Sequence, residues 1–132
     1  IKDSIGIANS HNNLGIIQDE KGSYLKALQH YFIALKIYES QKTSFKKIPM
    51  VLVNIGIVYK KQKKYAKVLE YYKKALKIYK GNNYKIGEVI TTGNIGSVLM
   101  KLEKYSSSIE FSKEARKIFD ETFMELLTTV KN

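Results

Sequence analysis

Between Ile48 and Tyr79 the apolar positions fall into two stripes. The first is Ile48, Val51, Leu52, Ile55 and Tyr59, and the second is Tyr65, Val68, Leu69, Tyr72, Ala75, Leu76 and Tyr79. Both advance by three or four residues, the step that gathers side chains on one face of an α-helix, and nowhere is the alternation of a half-buried strand sustained. Short polar stretches separate paired stripes at Glu20 to Ser23, Gln62 to Lys64, and Glu103 to Lys104. Two amphipathic helices joined by so short a break form an antiparallel hairpin.

The hairpin recurs. Asn-Leu-Gly at 13 to 15 returns as Asn-Ile-Gly at 54 to 56 and at 94 to 96, offsets of 41 and 40. In the same register stand Tyr24, Tyr65 and Tyr105, then Ala34, Ala75 and Ala115, then Ile37, Ile78 and Ile118, then Tyr38, Tyr79 and Phe119. Six aligned columns are beyond chance, and a fixed period of this length marks a helical array. Glycine inside a helix costs about 1 kcal/mol relative to alanine, so Gly15, Gly56 and Gly96 need a packing reason. Close approach of the paired helix supplies one, with Ala34, Ala75 and Ala115 expected to face the glycines from the opposite helix.

These columns resemble the tetratricopeptide repeat, with its W-x2-L-G-x2-Y, A-x3-F and terminal P pattern. The resemblance covers essentially the whole chain. The tryptophan slot holds His11, Leu52 and Thr92, and the first tyrosine slot holds Gln18, Tyr59 and Leu99. The A-x3-F pair is Ala27 with Tyr31, Val68 with Tyr72, and Ser108 with Ser112, so the third unit matches least well. The longer period is similar to that of kinesin light chains and many bacterial signalling proteins. Pro49 suits the start of a first helix, where a missing N–H costs nothing. The expected fold is an all-α, right-handed superhelical solenoid of three hairpins forming a single domain. Repeats are expected at about 1–43, 44–83 and 84–122, with a C-terminal capping helix or extension at about 120–131. The apolar spacing runs on through Phe123, Leu126, Leu127 and Val130, which would serve to cover an exposed end.

The resemblance implies a function in recognition, since in that family the first helix of each pair lines a concave groove. The residues there that the hairpin core leaves over are Asn9, Asn12, Asn13 and Ile16, then Met50, Val53, Asn54 and Ile57, then Ile90, Gly93, Asn94 and Ser97. An asparagine amide both donates and accepts, so Asn13, Asn54 and Asn94 could form a ladder to the backbone of an extended peptide. The competing reading is that asparagine caps or cross-links neighbouring helices, and for the apolar positions filling the seam between hairpins is the plainer reading. A clamp for a partner's C-terminal carboxylate needs lysine or arginine in these slots, which here hold Asn9, Met50 and Ile90. An internal or extended peptide is the ligand expected.

Charge brings in the alternative. Twenty-three basic and 12 acidic residues give +11, and nine of the basic residues lie between Lys60 and Lys80 with only Glu70 against them. With Tyr65, Tyr71 and Tyr72 interleaved, that face could meet nucleic acid. Arg116 is the one arginine, however, and most of these lysines belong to the turn or the outer helix, so a solvated face is the plainer reading. Catalysis has little to rest on: His11 and His30 sit in different helices of one hairpin, and no phosphate-binding loop, dinucleotide fingerprint or metalloprotease pair occurs. Cysteine is absent, which removes disulfides, thiolate metal sites and a cysteine nucleophile. No cofactor, metal or membrane contact is expected. The chain starts at Ile1 in what reads as the middle of a repeat, so it is expected to be a fragment of a longer protein, a sensory or scaffolding part. A cytoplasmic location is expected, with a periplasmic or membrane-attached parent left open. Self-association through open repeat edges is the third expectation.

Overall fold

The computed structural model describes residues 3–41 and 45–131. Ile1 and the expected boundary near residue 43 lie outside the described residues. Six helices and no strand occur among them: α1 (Ser4–Glu20), α2 (Tyr24–Gln41), α3 (Lys47–Lys61), α4 (Tyr65–Gly81), α5 (Lys85–Lys101) and α6 (Tyr105–Lys131). They fall into two compact units, Ile1–Ala75 and Leu76–Asn132.

The turns are built alike. Gly22, Lys63, Asn83 and Glu103 take positive φ of 78°, 59°, 53° and 59°. In each case the next residue's N–H reaches back five residues to a helical carbonyl: Ser23 to Gln18, Lys64 to Tyr59, Tyr84 to Tyr79 and Lys104 to Leu99, at 2.8 to 3.0 Å. This left-handed closure satisfies carbonyls that the helix end would orphan. Only Gly22 is the residue type that adopts such a φ at no steric cost. At the start of α1, the Asp3 carboxylate accepts from the Gly6 N–H at 3.1 Å. Pro49 is the third residue of α3, within the first turn.

In the first unit, α1, α2 and α3 share one core. Ala8, Ala27, Tyr31, Ala34, Tyr38, Val51, Ile55 and Val58 form a single buried cluster. The helical glycines explain how the hairpins close. A Cβ on Gly15 would stand 2.5 Å from the Tyr31 ring, and one on Gly56 would stand 2.6 Å from the Tyr72 ring. The glycines therefore seat tyrosine rings, whereas the sequence pointed to the alanines. Ala34 and Ala75 are buried elsewhere along the same helices.

In the second unit, α5 packs on α6. Ser112 replaces the tyrosine, so the seat opposite Gly96 carries no ring, and the Ser108 hydroxyl donates to the Gly96 carbonyl at 2.8 Å instead. Tyr79 packs against Gly87 and lies beside Tyr84, ring centroids 5.6 Å apart. After Phe119 no break occurs. The last helix runs on as a 27-residue α6, so an extension forms and not a separate cap. Its apolar residues Phe119, Phe123, Leu126 and Val130 stay exposed.

Candidate functional site

In the first unit the candidate residues lie on α1 and α3. Asn54 Nδ2 donates to Asn12 Oδ1 at 3.0 Å, a cross-link between α3 and α1. Asn12 is buried and Asn54 half-buried. The pair spends one donor and one acceptor, leaving Asn54 with an oxygen and an N–H, and Asn12 with its amide hydrogens. Asn13 and Ile16 are exposed, and Asn13 has no side-chain hydrogen bond among the described residues. Asn9 is engaged differently: its Oδ1 accepts from the Tyr38 hydroxyl. Met50, Val53 and Ile57 are half-buried, with Met50 packed on the core cluster. A second cross-link joins the C-terminal ends of α1 and α3, where Lys61 Nζ sits 2.9 Å from the buried Asp19 carboxylate.

In the second unit, Ile90 and Ser97 are exposed and Asn94 is half-buried without a side-chain hydrogen bond among the described residues. A groove of about 340 Å³ runs between the start of α5 and the end of α6, lined by Lys85, Ile86, Val89, Ile90, Phe119, Thr122, Phe123 and Leu126. Ile90 lies on the first-helix face, and the groove beside it exists because the residues after Phe119, expected as a cover, continue α6 instead. The signal was present in the continuous i, i+4, i+7 spacing of Phe119, Phe123, Leu126 and Val130, which describes one long helix.

The lysine-rich face is partly neutralised. Lys61 pairs with Asp19, while Lys67 and Lys74 approach Glu70 at 3.7 and 3.4 Å. Two of its three tyrosines, Tyr71 and Tyr72, do not stand free as stacking platforms. Tyr72 is buried, and Tyr71 stacks on Tyr59 with centroids 5.7 Å apart while Lys74 lies over its ring. The two histidines, unrelated in the sequence, meet across α1 and α2: His11 Nδ1 and His30 Nδ1 are 2.9 Å apart, so one ring donates and the other accepts. Among the described residues no group of three or more His, Asp or Glu could hold a metal ion, and no helix is long and apolar enough to cross a membrane. Burial pushes the Tyr31 hydroxyl up from 10.0 to about 12, helped by the Asp19 and Glu20 charges, and burial raises Tyr38 and Tyr72 in the same direction.

Helical hairpins with glycine-seated aromatics give the chain the fold of tetratricopeptide-type helical-repeat proteins. Residues 49–82 match the tetratricopeptide repeat family model. Among curated proteins the chain is 54% identical over 39 residues to response regulator aspartate phosphatase I of Bacillus subtilis, a match covering 30% of this chain and 10% of that protein. Among solved structures it is similar to aspartyl phosphate phosphatase F of Bacillus subtilis, with a TM-score of 0.85 at 17% identity over 94% of this chain and 32% of the other. It is also similar to BtubC (BKLC) of P. vanneervenii, with a TM-score of 0.81 at 18% identity over 87% of this chain and 47% of that one. The TPR domain of Arabidopsis FLU gives a TM-score of 0.79 at 19% identity, covering 89% of this chain and 98% of the other. The chain thus spans less than half of the phosphatase and BtubC chains it resembles, and nearly all of the isolated plant domain.

Proposed function

We propose that the protein is a non-catalytic recognition module that holds an extended peptide segment of a partner protein on the free faces of its first helices. The observation that carries the reading is the amide group on α1 and α3: Asn12 and Asn54 orient one another, and Asn13 stands exposed beside them with its amide unspent. An extended peptide presents N–H and C=O groups that need partners, and amides already held in place lose little freedom on binding it. Ile16, Val53 and Ile57 supply the apolar contacts, and the second unit carries a separate group of the same kind in Asn94, Ile90 and Ser97 of α5. Met50 and Asn9 serve as supports for these, since Asn9 is tied to Tyr38. No catalytic step is assigned to these residues, and the two histidines direct their facing nitrogens at each other. The similarity to a protein named response regulator aspartate phosphatase I favours a sensory or scaffolding part of a larger signalling protein.

The test is selection of binders from a displayed library of random extended peptides, followed by titration of a selected peptide. An Asn13→Ala, Asn54→Ala variant of unchanged helicity should bind about 10-fold or more weakly, since each lost amide bond is worth roughly 1 kcal/mol. Equal affinity for both forms would sink the proposal.

A further inference from the structure

The repeat supplies a comparison between buried and open versions of the same positions. In the first unit, Val51, Ile55 and Val58 of α3 bury fully against α1 and α2, and Asn54 and Lys61 bond to Asn12 and Asp19. The seam that receives them contains Ala8 and Tyr38, both 0% exposed. Advanced by 81 residues, those two positions become Val89 and Phe119, and Phe119 is 56% exposed in the groove between α5 and α6. The groove is thus the same kind of seam without its inserted helix. The inserting face exists in the chain as well. Moved back by 41 residues, Val51, Asn54, Ile55, Val58 and Lys61 become Ser10, Asn13, Leu14, Ile17 and Glu20 of α1, and all five are exposed.

We infer that the α1 edge of one copy docks into the α5–α6 groove of a second copy, as α3 docks against α1 and α2 within the first unit. Ile7, Leu14 and Ile17 provide the inserted apolar ridge, and Ile86, Ile90, Phe119 and Phe123 provide the walls. Five side chains that line the groove, these four with Leu126, are 51% to 62% exposed. Each leaves on the order of 100 Å² to be covered, together on the order of 500 Å², more than half of the ~800 Å² that one partner contributes to a standard interface. The contact is heterologous, one kind of face meeting another, so each molecule retains an unused face of each kind. The polar cross-links of the internal seam have no counterpart, because Asn12 and Asp19 become Gly93 and Met100. The contact is therefore apolar, and salt, which screens the repulsion between two copies of net charge +11, does not dissolve it.

Sedimentation velocity over a range of concentrations tests this on the intact chain and on two variants, Leu14→Lys and Phe123→Lys. Both positions are exposed, at 40% and 51%, so the charge is added without disturbing either core, which circular dichroism verifies. The wild type is expected to associate as its concentration rises, in low and high salt alike. Each variant alone is expected to stay monomeric, and an equal mixture to form a dimer, because one intact edge and one intact groove remain. A monomeric wild type, self-association of Leu14→Lys alone, a mixture that stays monomeric, or association that salt dissolves would each overturn the proposal.

Discussion

The same substitution, glycine to alanine, should have opposite signs at two helical positions of this protein. Gly56 lies inside α3 with the Tyr72 ring over it, and a Cβ there would stand 2.6 Å from one ring carbon and 2.8 Å from another. Tyr72 is 2% exposed, so its ring has nowhere to retreat without opening the hairpin. Forcing extra volume into a packed site costs roughly 1–3 kcal/mol, and the gain in helix propensity returns about 1 kcal/mol. Gly56→Ala should therefore destabilise by about 1 kcal/mol on balance, and by more if the ring is driven off its rotamer. Gly93 lies inside α5, where a Cβ meets nothing within 4 Å. Only the propensity term acts there, so Gly93→Ala should stabilise by up to about 1 kcal/mol. Urea denaturation followed by circular dichroism, at concentrations where the chain is monomeric, reads both differences as shifts in midpoint at constant slope. Stabilisation by Gly56→Ala would refute the claim that the repeat's glycine exists to seat an aromatic ring.

Three further outcomes follow from particular residues. Glu103 holds a φ of 59° without being glycine, so Glu103→Gly should stabilise by up to about 1 kcal/mol in thermal melts, whereas Gly22→Ala at the equivalent turn should do the reverse. Ser112 occupies the slot of Tyr31 and Tyr72, beside an open pocket of about 290 Å³ lined by Gly96, Met100 and Ser108, so Ser112→Tyr should raise the melting temperature by covering that apolar surface. Alkaline stability should fall between pH 10 and about 12, because Tyr31 ionises at about 12 when folded against 10.0 when unfolded. That contribution is fully present below pH 10 and is lost through pH 12, at up to about 1.4 kcal/mol per pH unit. Tyrosinate absorbance should show the late ionisation, and Tyr31→Phe should remove its share of the pH dependence.

The hairpins were legible because each rule they obey is local: a three-to-four step for the stripes, polar residues at the turns, and a fixed offset between repeats. The turn left-handedness at Lys63 and Glu103 was hidden, since lysine and glutamate carry no sign of a positive φ that only the closing hydrogen bonds impose. The tyrosine seats were half visible. Gly15 and Gly56 announced a close approach, but which opposing column filled it depended on the rotation of the second helix, which put Tyr31 and Tyr72 over the glycines and turned Ala34 and Ala75 elsewhere. The Asn12–Asn54 bond is a cross-link between helices, the arrangement that the competing reading of the asparagines described, and it leaves Asn13 exposed. The histidine pair and the Asp19–Lys61 bridge join residues 19 and 42 apart, contacts that no periodicity encodes.

The most direct test of the recognition proposal is the response of side-chain amide resonances to a library-selected peptide. In a titration followed by two-dimensional nitrogen–proton NMR, the Nδ2 hydrogens of Asn13 and Asn54 should shift early and saturably, with smaller changes at Ile16, Val53 and Ile57. Shifts confined to the lysines between Lys60 and Lys80, with the asparagine amides unmoved, would contradict it.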